Sequence, residues 1–182
     1  MIKKTSKEVT EIHFQNFGSI VYLIQLTNPK TQILIDTSSK ENAQELIDSL
    51  NELNLTPKDI DTIILTHAHY DHTQNIKLFP NAKIYGNFTH IINSDHTQTK
   101  EPRILPISEI PLPTNNFQFF PLPGHTPGDI AILYKNILFS GDIIFHNGYI
   151  GRNDFPESNP EKQEESLRKL QNIKFDILCP GH

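Results

Sequence analysis

The stretch Thr66-His67-Ala68-His69-Tyr70-Asp71-His72 places three imidazoles and one carboxylate within six residues. It directly follows the apolar run Thr62–Leu65. Imidazole is the commonest metal-ligating side chain. If His67 and His69 lie in extended backbone, two positions apart, their side chains share a face and can grip one ion. A turn after His69 would aim Asp71 and His72 toward a second ion nearby. The plainer reading, a solvated turn at a strand end, fits one such residue far better than four.

Three further positions strengthen the pattern. His125 sits in the turn-rich Pro123-Gly124-His125-Thr126-Pro127-Gly128. Asp142 follows the apolar run Ile137–Phe139 and Gly141, and His182 ends Cys179-Pro180-Gly181-His182. Taken singly, these are a loop histidine, a capping aspartate and a terminal residue. Together they repeat one order: strand, glycine, ligand. Loops at strand ends are where rigid scaffolds carry functional groups. Five His and two Asp make an all nitrogen-and-oxygen donor set, which suits zinc and also iron or manganese. Two ions about 3.5–4 Å apart form a hydrolytic site, in which Asp142 is the natural bridge. His13, His90, His96 and His146 have no motif around them and read as surface or packed residues, with His146 notable only for its nearness to Asp142.

The elements that must hold these groups are legible in outline. Val21–Leu26 and Gln32–Ile35 read as strands separated by a turn at Asn28–Pro29–Lys30. Ser38 and Ser39 are candidate caps for a helix whose apolar positions are Ala43, Leu46, Ile47, Leu50 and Leu53, closed off by Pro57. Thr62–Leu65 reads as a buried strand, Gln74–Leu78 as a short helix, Lys83–Tyr85 as a strand and Asn87–Ile92 as another short helix. Between Pro102 and Pro123 lie six prolines, at 102, 106, 111, 113, 121 and 123. Proline cannot donate to a central ladder, so edge strands and turns are expected there. Ile130–Tyr134 and Ile137–Phe139 form a hairpin pattern across Lys135–Asn136. Asn159, with Pro160 at the first helical position, starts a helix carrying Leu167 and Leu170. Phe175–Leu178 is a last strand, and Phe117, Phe119 and Phe120 read as packing.

Composition bounds the function. The chain has 182 residues, 36% hydrophobic and 20% charged, a length suited to one domain. A net charge of −5 argues against a protein that grips nucleic acid. No basic cluster beyond Lys3–Lys4 points to a membrane surface, and no apolar run approaches the roughly 18 residues of a membrane span. Met1–Thr10 has no apolar core of a signal peptide. Cys179 is the lone cysteine, so a disulfide framework and a cysteine-based zinc finger are excluded. A reducing cytoplasm is the expected compartment.

His67 to His72 resembles the His-x-His-x-Asp-His signature of the metallo-β-lactamase fold superfamily. Gly124–Gly128, Ser140-Gly141-Asp142, Pro180-Gly181-His182 and Ile35-Asp36-Thr37 match its other landmarks, in order. The resemblance implies an α/β fold: an αβ/βα sandwich of two mixed β-sheets with helices on the outer faces. It implies a single domain over 1–182, without the final helix that follows the last histidine in relatives. It further implies that His67, His69 and His125 hold one divalent ion, that Asp71, His72 and His182 hold a second, that Asp142 bridges them and that Asp36 stands behind the ligands. Zinc is the expected metal, with iron or manganese as alternatives.

A narrower likeness runs through Gly148–Pro156 and the Ser166–Leu170 helix. It resembles the short hydrolases related to glyoxalase II and the persulfide dioxygenases, except that Asn153 replaces the usual Thr and Glu157-Ser158 the usual Gly-Gly. The expected activity is hydrolysis of a small ester or thioester by a hydroxide generated on the metal, with Asp71 orienting it or taking its proton. Arg152 is a candidate for binding a substrate carboxylate, or for pairing with Asp154 or Glu157. Tyr149 is a further candidate substrate contact, with packing as its plainer role. The alternatives are a mononuclear iron persulfide dioxygenase needing only His67, His69 and Asp142, a lactonase with a roomier apolar mouth, and a non-catalytic metal-binding protein. A nuclease fits neither the length nor the charge. The expected partner is a small-molecule substrate.

Overall fold

The computed structural model of the chain describes residues 1–112 and 116–182. Pro113 of the proline-rich stretch lies outside them. The first half carries β1 (Ile2–Lys4), β2 (Val9–Ile12), β3 (Val21–Thr27), β4 (Lys30–Ile35), α1 (Ala43–Glu52), β5 (Thr62–Ile64), α2 (Tyr70–Thr73) and β6 (Lys83–Gly86). Then follow β7 (His90–Ile92), β8 (Gln98–Lys100), β9 (Ile104–Pro106), β10 (Phe117–Pro121), β11 (Ile130–Tyr134), β12 (Ile137–Gly141), α3 (Pro160–Leu170) and β13 (Ile177–Pro180).

Among the described residues, the strands form a seven-stranded sheet in the order β1-β2-β3-β4-β5-β6-β9, a four-stranded sheet β10-β11-β12-β13, and the small pair β7-β8. Both larger sheets are mixed. β1 to β4 run antiparallel and β4, β5, β6 and β9 parallel. β10 to β12 run antiparallel, and β13 joins β12 in parallel. The strands flanking the proline-rich stretch, β9 and β10, lie at sheet edges, as proline requires.

The uninterrupted apolar runs have a physical cause: each sheet is covered on both faces. Along β4, Ile33 and Ile35 join a cluster with Tyr22, Ile24 and Ile64 that packs against Ile130, Ile132, Tyr134 and Phe139 of the other sheet. Leu34, one residue out of phase, faces the opposite way and packs with Leu46 and Leu50 of α1. The outer face of the second sheet, Ala131, Leu133 and Leu138, is covered by Leu167 and Leu170 of α3. Helices thus lie outside and the main core between the sheets, the sandwich that the resemblance implies. Truncating a buried leucine such as Leu34 to alanine would cost roughly 2–5 kcal/mol.

Local signals held unevenly. Asn159 caps α3 through its side chain, which accepts from the Lys162 N–H at 2.9 Å. Ser38 and Ser39 do not cap α1. Asn42 precedes that helix, and the Ser39 hydroxyl instead donates to the Phe17 carbonyl at 2.5 Å. Asn87–Ile92 is not a helix. Ile91 and Ile92 are β-branched, and β7 pairs with β8 across a turn in which Asp95 accepts from the Thr97 N–H at 3.0 Å. The last strand runs two residues later than expected, at Ile177–Pro180.

The topology brings the chemistry to one edge. β4, β5 and β6 are parallel, so Asp36 and the segment after β5 emerge at the same end. β12 and β13 are also parallel, so Asp142 and His182 leave together. His125 precedes β11, which runs antiparallel to β12, and therefore starts from that same end. The two sheets are tied there by Ile130 N–H donating to Thr66 O at 2.9 Å and Ile20 N–H to Gly181 O at 2.7 Å.

Candidate metal centre

His69 is extended and pairs with Ile92, after which α2 begins at Tyr70. The residues before His69 bend rather than form a strand, yet the two imidazoles still meet. His67 Nε2 lies 3.1 Å from His69 Nδ1. The helical turn swings Asp71 and His72 to the other side, as the spacing suggests.

The second sheet supplies the rest. Gly141, with φ 51, turns the chain so that Asp142 points into the gap. Asp142 Oδ1 lies 3.3 Å from His72 Nε2, and its Oδ2 lies 3.6 Å from His125 Nε2 and 3.5 Å from His182 Nε2. His182 Nε2 is also 3.3 Å from Asp71 Oδ2. Three groups have ligand atoms all within 4.8 Å of one another: His67/His69/His125, His67/His72/Asp142 and Asp71/His72/His182. Asp142 faces both ends of the cluster.

Behind this layer stands a second. Asp36 accepts from Thr66 N–H, Thr66 Oγ1 and His72 Nδ1, each at 2.8 Å. His125 Nδ1 donates to the Arg152 carbonyl at 2.6 Å, and His69 Nε2 to Glu157 Oε1 at 2.7 Å. Each of these three histidines therefore spends one nitrogen outward and turns the other inward, the arrangement that fixes a ligand's tautomer. Glu157 escaped the sequence reading, because its only signal was the departure from Gly-Gly.

The inward atoms lack partners. His72 Nε2, His125 Nε2 and Asp142 Oδ1 are buried and make no hydrogen bond among the described residues. Each such atom costs about 1–3 kcal/mol when left unsatisfied, so three of them facing one point fit a cation well. The electrostatics agree. Burial drives His67 well below the ordinary histidine range, with His72 adding to the effect. Burial also opposes charge on His72, but the Asp142 and Asp36 carboxylates prevail and hold it well above that range. Asp142, which burial alone would raise, is held well below the usual carboxylate range by His72 and His182. His182 is pushed up to about 9 against burial by Asp142 and Asp71. Two buried carboxylates at this point demand positive charge.

The sequence profile of the metallo-beta-lactamase superfamily matches residues 16–182. This chain belongs to that superfamily. A probable metallo-hydrolase of Methanocaldococcus jannaschii, MJ0888, is 33% identical over 96% of this chain and 92% of its own length. The hydroxyacylglutathione hydrolase GloC of Haemophilus influenzae is 32% identical, covering 93% of this chain and 86% of its own. The fold matches the crystal structure of TTHA1623 in a di-iron-bound form, with a TM-score of 0.72 and 24% identity over 94% of this chain and 91% of that one.

Five members of the His/Asp cluster, His69, Asp71, His125, Asp142 and His182, line the floor of a cavity of about 520 Å³. Its walls are Phe17, Tyr70, Phe145, Ile150 and Phe155, with Asn93, Ser94, His96 and Arg152 supplying polar groups. Phe17 stacks on His182 at 5.4 Å while staying 67% exposed. Arg152 lines the cavity, but its guanidinium is paired with Asp154 through two bonds of 2.9 Å and lies 4.4 Å over the Phe155 ring. Tyr149 does not line the cavity. The loop closes by Phe145 N–H donating to Tyr149 O at 2.7 Å, which turns Ile150 inward and leaves Tyr149 72% exposed. His96, which has no motif around it and reads as a surface or packed residue, is a wall of the cavity. No helix among the described residues is long and apolar enough to cross a membrane.

Proposed function

We propose that this chain is a metal-dependent hydrolase of a small ester or thioester, of the glyoxalase II type. Two divalent ions, zinc in the first instance and iron or manganese otherwise, would be held by His67, His69 and His125 and by Asp71, His72 and His182, with Asp142 serving both. When bound, such ions bring the pKa of a water toward neutrality and polarise a carbonyl. Asp71 is ionised at neutral pH: burial pushes its pKa up, but the hydrogen bond from His182 and the nearby His72 outweigh this and bring it below the usual value. It lines the cavity floor, where it orients the attacking water or takes its proton. Arg152 is proposed to meet an anionic part of the substrate. The apolar walls exclude water from the reacting carbonyl. The proposed compartment is a reducing cytoplasm, in keeping with the lone buried Cys179. The observation that carries the reading is the convergence of seven imidazole and carboxylate side chains from two sheets, five of them lining one cavity.

A lactone is the second reading, favoured by the apolar rim of Phe17 and Ile150, which are 67% and 46% exposed. The test offers S-lactoylglutathione, a homoserine lactone and glutathione persulfide to zinc- and iron-loaded protein. Thioester hydrolysis with two ions per chain is expected. His67→Ala should lower it at least about a thousandfold, since the ion contributes several kcal/mol. Turnover surviving in that variant would overturn the mechanism. One iron per chain with oxygen uptake would transfer the protein to the dioxygenases.

A further inference from the structure

We propose that Glu157 is a positioning residue that fixes the His69 imidazole with Nε2 protonated outward and Nδ1 turned to the ion site, and that His96 holds Glu157 in place. The inference rests on the metal site proposed above. Glu157 Oε1 lies 2.7 Å from His69 Nε2, while His69 Nδ1 lies 3.1 Å from His67 Nε2. An ionised carboxylate can only accept, so Nε2 carries the proton and Nδ1 offers its lone pair inward. The Glu157 side chain is 6% exposed, and a buried carboxylate needs partners. His96 is the second: its Nδ1 lies 3.2 Å from both Glu157 oxygens. Phe155 seals the arrangement, its ring 5.4 Å from that of His69 and 5.1 Å from that of His96. The loop after β7 and the loop before α3 are thereby joined across the cavity mouth by one carboxylate.

The test compares wild type with Glu157→Ala, Glu157→Gln and His96→Ala. Long-range proton–nitrogen NMR on chelated protein reads the His69 tautomer without any metal. Competition with a chromophoric chelator reads zinc and cobalt affinity, and melting in chelator reports the fold. Glu157→Ala should leave the Nε2 proton unprotected and weaken binding of the ion shared by His67, His69 and His125 by about 10–100-fold. Glu157→Gln, whose amide oxygen still accepts, should restore affinity to within a few-fold. His96→Ala should fall between them, and both it and the glutamine variant carry the test if the alanine variant does not fold. Unchanged tautomer and affinity in Glu157→Ala would overturn the proposal. So would a glutamine variant as weak as alanine, since charge alone would then explain the loss. A wild type that binds no ion would overturn the hydrolase reading together with this inference, and would be recognised in the wild type rather than only in the variants.

Discussion

Asp36 Oδ2 and His72 Nδ1 are joined by a hydrogen bond of 2.8 Å, and this bond decides which imidazole nitrogen faces Asp142. Asp36 also accepts both the backbone N–H and the hydroxyl of Thr66, so one carboxylate braces the start and the end of the ligand segment.

Replacing Asp36 with alanine strands three buried donors at once. Leaving one unsatisfied costs about 1–3 kcal/mol, so a loss of roughly 3 kcal/mol or more is expected in urea denaturation of the chelated protein. Ion affinity should fall by about 10–100-fold as His72 loses its orientation. Asp36→Asn should recover part of the stability but not the affinity. An alanine variant of unchanged stability would refute the bracing role.

Gly181 is tested by adding one methyl group. A Cβ there would lie 2.2 Å from Asp142 Oδ1 and 2.8 Å from His72 Cε1. Gly181→Ala should displace both side chains and weaken ion binding at least about tenfold. Gly148 is the control. Its Cβ would meet none of the described residues within 4 Å, but its φ of 79 strains any other residue. Gly148→Ala should therefore lower the melting temperature by the equivalent of about 1 kcal/mol and leave ion affinity intact.

Asp129 gives a pH signature opposite to that of the paired carboxylates. Burial raises it to about 6, against hydrogen bonds from Thr126 that favour its charge. Between its ordinary value of 3.8 and about 6, the folded chain holds more protons at this position than the unfolded chain. Stability contributed here is therefore full below that window and is lost as pH rises through it. Denaturation of wild type and Asp129→Asn from pH 4 to 7 should show the difference between them changing across the window and flat above it. A constant difference would refute the shift.

Arg152 and Asp154 are both about two-thirds exposed, so their pair contributes little to stability. Arg152→Ala should leave the melting temperature unchanged. It should raise KM several-fold for a thioester bearing a carboxylate and leave KM for a neutral ester as it was. Asp154→Ala, which frees the guanidinium, should lower KM for the anionic substrate. Equal effects on both substrates would remove Arg152 from recognition.

The positions of the clustered His and Asp side chains were legible because each lies after a strand, following a short apolar run or a glycine, and strand ends are set by local pattern. The α3 start was legible for a similar reason, since Asn159-Pro160 is a purely local device. Contacts formed at long range were not. Glu157 meets His69 across 88 residues and His96 across 61, and no spacing rule reaches that far. β7 was misread as helix because its three residues draw their ladder from β8 rather than from their own propensity. The Ser39 hydroxyl was lost to the carbonyl of Phe17, a partner 22 positions away. Tyr149 was misplaced because the direction of a loop side chain depends on closure of the 145–149 turn.

The seven converging groups do not share one layer: four follow β5, while His125, Asp142 and His182 belong to the opposite sheet. A cation seated there is a rivet through the sandwich, and its binding energy adds directly to the cohesion of the whole molecule. Scarcity of the ion would then shorten the protein's survival as well as silence it.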